Sequence, residues 1–265
     1  RVLDRHRRSR AHGLPRPSSA EDYYRLEFSS SACEGKPPVA SRGIVGGFSP
    51  VIRRNITKEE SERTVPTIDF SDVEVRYEKR VVLRPITCSL TENRVGIVGA
   101  NGSGKSTFLR LINGLGTPTA GTVTVDGLSV ADHGKQVRKK VGFMFSDAEN
   151  QIIMPTVKED IGFSLKRFNL SAKEREARSL AMLERYGLAN HVDDSPYTLS
   201  GGQKQLLALA SILIMEPSVI LLDEPTTLLD LRNRVRIKKE LGRLDQQIIV
   251  ATHDLDLLEG FDRVL

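Results

Sequence analysis

Arg94-Val95-Gly96-Ile97-Val98 runs directly into Gly99-Ala100-Asn101-Gly102-Ser103-Gly104-Lys105-Ser106-Thr107, and Phe108-Leu109-Arg110-Leu111-Ile112-Asn113 follows with helical spacing. The first segment reads as a buried strand, so the order is strand, glycine loop, helix, the context a phosphate-binding loop requires. Glycines at 99, 102 and 104 let the backbone curl until successive N–H groups face phosphate oxygens, and the helix adds the positive end of its dipole. Lys105 then supplies a point charge for β- and γ-phosphates, and the Ser106 hydroxyl is placed to ligate Mg²⁺. A glycine turn followed by Lys-Ser is the bland alternative, and the flanking strand and helix argue against it. The stretch predicts nucleoside triphosphate binding.

Downstream, Pro217-Ser218-Val219-Ile220-Leu221-Leu222-Asp223-Glu224 is an apolar strand ending in two acids, which sets carboxylates at the edge of a sheet beside the loop. Asp223 is expected to hold the Mg²⁺ shell, and Glu224 to orient or deprotonate the water that attacks the γ-phosphate. Another strand, Gln247–Thr252, ends at His253-Asp254, which places His253 where nucleotide sites of parallel sheets lie. Leu199-Ser200-Gly201-Gly202-Gln203 precedes a helical run from Lys204 to Met215, and a serine with two glycines at a helix start is a second anion site. Two such sites in one chain are explained by a dimer that sandwiches nucleotide between the first loop of one copy and the second loop of the other. Further upstream, Ile68–Tyr77 alternates apolar and charged residues as a half-exposed strand does.

Composition sets the limits around these motifs. The 265 residues carry 39% hydrophobic and 28% charged side chains, which excludes a collagen-like or wholly disordered chain, and no apolar run is long enough to span a membrane. Cys33 and Cys88 have no metal-ligand spacing and form no disulfide framework, so a reducing cytosol is expected. The net charge of +5 lies wholly in residues 1–65, where 13 Lys/Arg face 8 Asp/Glu. That quarter lacks any sustained period and reads as a disordered basic extension. A nucleic-acid arm or transit peptide is the alternative, weakened by Asp4, Glu21, Asp22, Glu27 and Glu34. The chain begins with Arg1 and has no Met before Met144, so the extension is expected to be a fragment or an artefact of an over-long frame.

Together these residues resemble ATP-binding-cassette (ABC) ATPases over residues 66–265. The resemblance implies an α/β P-loop fold with a RecA-like core, an antiparallel β edge and a helical subdomain at about 157–197. It implies ATP and Mg²⁺ as cofactors. ATP would be held by Tyr77, stacking on adenine, by the Walker A residues Gly99, Asn101, Gly102, Ser103, Gly104, Lys105, Ser106 and Thr107, by the signature Ser200, Gly201, Gly202 and Gln203 of a second protomer, and by the D-loop Asp230. Lys105, Glu224 and the switch His253 would carry catalysis, with Ser106 and Asp223 on Mg²⁺. Two departures stand out. Ser146 replaces the usual Gln of this family, too short to reach the metal or water, with Asp147, Gln151 or a bridging water as expected substitutes; and the chain ends inside a strand at Val264-Leu265, as if truncated.

The interval from Ser146 to Leu199 suits a small helical subdomain and not the long coiled-coil insertion of DNA-repair members. The segment Asn150–Phe163 is similar to the region with which energy-coupling-factor ATPases, the cobalt and vitamin uptake type, grip a coupling helix of their transmembrane subunit. Thr226–Asn233, with Phe145-Ser146 before the Asn-Gln stretch, resembles the ATPases of bacterial biotin transporters. The implied partners are a transmembrane coupling subunit, a substrate-binding membrane subunit and a second ATPase protomer, at the cytoplasmic face of a bacterial membrane. Nucleic acid is not expected as a partner, and a soluble ATPase acting on nucleic acid is the rival reading.

Overall fold

The computed structural model describes residues 65–78, 80–227 and 229–265. The basic extension expected over residues 1–65 lies, apart from Val65, outside the described residues, as does Cys33. In chain order the elements are β1 (Ile68–Tyr77), β2 (Arg80–Leu90), β3 (Arg94–Val98), α1 (Lys105–Ile112), β4 (Ala120–Val125), β5 (Leu128–Ser129), α2 (Val130–Lys140), β6 (Val141–Met144), α3 (Val157–Ser164), α4 (Ala172–Arg185), α5 (Gly201–Leu213), β7 (Val219–Asp223), α6 (Leu231–Leu241), β8 (Gln247–Thr252) and β9 (Arg263–Val264). Among them no helix is long and apolar enough to cross a membrane.

Five strands form a parallel sheet in the order β6-β7-β8-β3-β9. Every residue of β7 and β8 is buried, as expected when both faces of a parallel sheet are covered. Because the strands point one way, the loop after β3, Glu224 after β7 and His253 after β8 all emerge at one edge of the sheet. This is the step from topology to site.

The second sheet is antiparallel, in the order β2-β1-β4-β5. In β1 the buried residues are Ile68, Phe70, Val73 and Val75, so the two-residue period slips once. An irregularity in the register between Phe70 and Val73 absorbs the slip, with Asp72 in the left-handed region at φ 51°. Phe70 stacks on Phe108 of α1 at 4.3 Å, which fixes the glycine-loop helix against this sheet. A helical subdomain of α3, α4 and α5, with short 3-10 turns at Leu165–Arg167, Ala189–His191 and Pro196–Thr198, buries Val157, Ile161, Leu183, Tyr186 and Leu206 in the core cluster that includes β7 and β8 residues. The architecture is thus the expected α/β core with a β edge and a helical subdomain.

Candidate active site

The turn after β3 curls through positive φ at Gly102 (78°) and Gly104 (102°), values that only glycine adopts without strain. Ser103 N–H closes the turn on the Ala100 carbonyl at 3.1 Å. Lys105 opens α1 and is buried; its Nζ donates to the carbonyls of Gly99 (2.7 Å) and Ala100 (3.3 Å) and lies 3.2 Å from Glu224 Oε1. Gly99 contributes an acceptor to the lysine, and the positive φ of the loop falls on Gly102 and Gly104 and not on Gly99. The next residue on α1, Ser106, donates its hydroxyl to Asp223 Oδ1 at 2.9 Å. Asn101 and Gly102 are exposed at the mouth of the loop, and Thr107 is half-buried one step along α1.

Glu224 is held off the end of β7 by an unusual backbone. Its φ is +50°, and its N–H donates to Ala251 O of β8 at 2.8 Å. Its Oε2 receives His253 Nδ1 at 2.8 Å, His253 N–H at 3.3 Å and the Thr252 hydroxyl at 3.3 Å. Lys105, Ser106, Asp223, Glu224 and His253 thus meet in one cluster. Sequence reasoning missed Thr252 and the Ala251 carbonyl, although both lie in the strand that ends at His253.

Burial pushes the Asp223 carboxyl above the ordinary aspartate range and the nearby Glu224 charge adds to it, against the opposing Ser106 hydrogen bond and the charges of Arg110 and Lys105. Ser106 Oγ and Asp223 Oδ1 together are the oxygen-donor set a hard divalent cation takes, and such a cation would offset the cost of burying the Asp223 charge. Ser103 Oγ is buried without a hydrogen-bond partner, and Glu224 Oε1 makes its ion pair but no hydrogen bond. These unmade bonds, in a glycine cradle, suit a ligand rich in phosphate oxygens.

The second loop lies at the start of α5. Ser200 and Gln203 form a reciprocal cap: Gln203 N–H donates to Ser200 Oγ at 3.4 Å, and Ser200 N–H donates to Gln203 Oε1 at 2.8 Å. The Gly201 and Gly202 N–H groups, first in the helix, have no acceptor among the described residues. At Gly202 a Cβ would sit 2.3 Å from Asn233 Cγ of α6, so any larger residue there has to displace the Asn233 carboxamide. Asp230 caps that same helix by accepting from Asn233 N–H at 2.8 Å. Within one chain no hydrogen bond or ion pair among the described residues joins Ser200, Gly201, Gly202, Gln203 or Asp230 to the Lys105–Glu224 cluster. Tyr77 is 59% exposed at the far end of β1.

Two expected stand-ins for the absent glutamine at Ser146 are otherwise engaged. Gln151 uses Oε1 to accept Phe145 N–H (3.3 Å) and Nε2 to donate to Ala208 O (2.9 Å). Asp147 caps a short turn through Glu149 N–H (2.9 Å) and Asn150 Nδ2 (3.2 Å). Gln151 ties the Ser146 loop to the backbone of α5, while the bonds of Asp147 stay within its own turn.

The family model "ABC transporter" matches residues 83–227. The biotin transport ATP-binding protein BioM of Rhizobium etli is 48% identical over 198 residues, covering 75% of this chain and 88% of that protein. The cobalt import ATP-binding protein CbiO of Syntrophus aciditrophicus is 38% identical over 206 residues, covering 75% of this chain and 74% of that protein. Among solved structures, cbiO1 of Clostridium perfringens, part of the ABC transporter complex cbiONQ, superposes with a TM-score of 0.66 at 31% identity, covering 74% of this chain and 82% of that one. With the glycine cradle, the Lys105–Glu224–His253 cluster and these likenesses in agreement, the chain belongs to the ABC transporter family, as an ATP-hydrolysing, ATP-binding subunit of the CbiO-like energy-coupling-factor type.

Proposed function

We propose that two copies of this chain clamp two ATP molecules between them and use hydrolysis to drive solute uptake through membrane-embedded partners. The observation that carries the reading is the cluster itself: Lys105 Nζ at 3.2 Å and His253 Nδ1 at 2.8 Å on opposite oxygens of Glu224. Triphosphate in the cradle offers Lys105 a more highly charged partner than Glu224, which releases Oε1 to accept a proton from water attacking the γ-phosphorus. His253 and Thr252 keep the other oxygen in place, so the carboxylate meets the water in a fixed orientation. Ser106 and Asp223 would hold Mg²⁺, which when bound neutralises phosphate charge. Gly99, Asn101, Gly102, Ser103, Gly104 and Thr107 line the phosphates, and exposed Tyr77 offers its ring to adenine. The Ser200 hydroxyl, the free N–H groups of Gly201 and Gly202, the Gln203 cap and Asp230 serve the site of the opposite copy.

Exposed Ile153 (63%) and Phe163 (42%) lie on the segment expected to grip a coupling helix, and support a transmembrane partner with peripheral placement at the cytoplasmic membrane face. Biotin is the solute we propose, on the strength of BioM and of the Thr226–Asn233 stretch; a metal ion is the competing solute on the strength of CbiO. Residues 66–265 carry no net charge, which weighs against the nucleic-acid reading. The test is co-expression with candidate transmembrane and solute-binding subunits of the energy-coupling type. Uptake of labelled biotin that stops with Glu224→Gln supports the reading. Uptake of a divalent cation instead moves the solute assignment, and ATP turnover with no membrane partner bound removes the transport role.

A further inference from the structure

The cap at the start of α5 is held from outside by a histidine. Because Gln203 Oε1 is taken by Ser200 N–H, the amide nitrogen Nε2 is the atom that faces His191, 2.9 Å from the imidazole Nε2. An amide nitrogen only donates, so His191 Nε2 accepts, and the ring proton sits on Nδ1, 2.8 Å from the Asp194 carboxylate. Asp194 on one side and Gln203 on the other thus select one neutral tautomer. The turn carrying His191 is bound in its own right to the start of α3: Val157 N–H donates to Asp194 O at 3.1 Å and Lys158 N–H to Val192 O at 3.0 Å. Immediately before α3, the Ile153 and Met154 N–H groups are fixed by buried Asp160, at 2.9 and 3.2 Å, and Asp160 also accepts from Ser211 of α5 at 3.3 Å.

We propose that His191 is a positioning residue for the Ser200 loop: it fixes the Gln203 carboxamide so that the cap on Ser200 closes, and it ties that loop to the start of α3. The inference rests on the reading in which this loop faces the nucleotide of a second copy. Without the acceptor on His191 the carboxamide rotates, Ser200 N–H loses Oε1, and the hydroxyl and the glycine N–H groups lose their common orientation. The Lys105 cradle of the same chain is untouched, so loading of ATP is spared and the step after loading suffers.

The test compares His191→Phe, which keeps a ring without an acceptor, with His191→Gln, whose Oε1 restores one. A fluorescent ATP analogue should bind all three full-length chains alike, while kcat falls about tenfold in His191→Phe and returns to within about threefold of wild type in His191→Gln. Nitrogen-15 spectra of the wild-type imidazoles should show His191 protonated at Nδ1. Equal kcat for the two variants, at any level, or a proton on Nε2, overturns the proposal. Should His191→Phe fail to fold, Gln203→Met breaks the same two amide contacts and is expected to show the same kcat loss, and a wild-type kcat in that variant overturns the proposal. A wild-type chain that binds no ATP or never turns it over fails the functional reading instead, and the tautomer alone then decides the His191 contact.

Discussion

Lys105 has three partners, two carbonyls and Glu224, and a phosphate that binds it competes with all of them. The strongest competitor is the carboxylate, which makes Glu224→Gln informative twice. Turnover is expected to fall by about 10²–10⁴-fold, the usual worth of a positioned base. ATP binding should tighten at the same time, because the lysine loses its charged rival; weaker binding in a titration would contradict the arrangement. His253→Ala leaves Glu224 Oε2 with its longer bonds only, so kcat should drop with little change in KM, measured by steady-state kinetics. Ser146 adds a prediction in the opposite direction. Since Gln151 and Asp147 are engaged elsewhere, Ser146→Gln should raise turnover, and an unchanged or lower rate would show that this position does not limit water positioning.

At the scale of elements, the contact between α5 and α6 lends itself to a clean cycle. Gly202→Ala places a methyl against the Asn233 carboxamide and is expected to cost about 1–3 kcal/mol, read by thermal or denaturant melting. Asn233→Ala removes the three atoms in the way, so the double variant should regain most of that loss; a double variant as unstable as the single one would mean the strain lies elsewhere. Asp160 tests the link between α3 and α5 through pH. Burial holds its carboxyl above the ordinary aspartate value despite hydrogen bonds from Ile153, Met154 and Ser211. A raised folded value means the stabilising contribution is complete below the ordinary value and is lost as pH rises through the folded one. Wild type should therefore lose stability relative to Asp160→Asn on raising pH through that window, and a gain would reverse the assignment. Elements differ in how well the sequence announces them. Strands β3, β7 and β8 are short apolar runs that each end in chemistry, and were legible for that reason. Strand β2 was not, since Arg84 and Pro85 interrupt its pattern; both are exposed, and Pro85 is tolerated because β2 is an edge strand. His191 carries no motif of its own and Asn233 only closes the Thr226–Asn233 stretch, and their contacts with Gln203 and Gly202 at the start of α5 give them a part.

For the whole molecule, the parallel sheet gathers the glycine loop, Glu224 and His253 at one edge, while the Ser200 loop opens α5 of the helical subdomain. Both loops were readable as phosphate-binding motifs in one chain, though neither the Lys105–Glu224 pair nor the cap network was. The proposed sharing of a site between two copies is tested by complementation. Glu224→Gln leaves every site without its base, and Ser200→Phe leaves every site without its second loop, so each variant alone should be inactive. Mixed, half of the dimers combine the two and hold one intact site of two, so turnover should return to roughly a quarter of the wild-type rate. A mixture as inactive as its components would contradict the shared site and confine catalysis to a single chain.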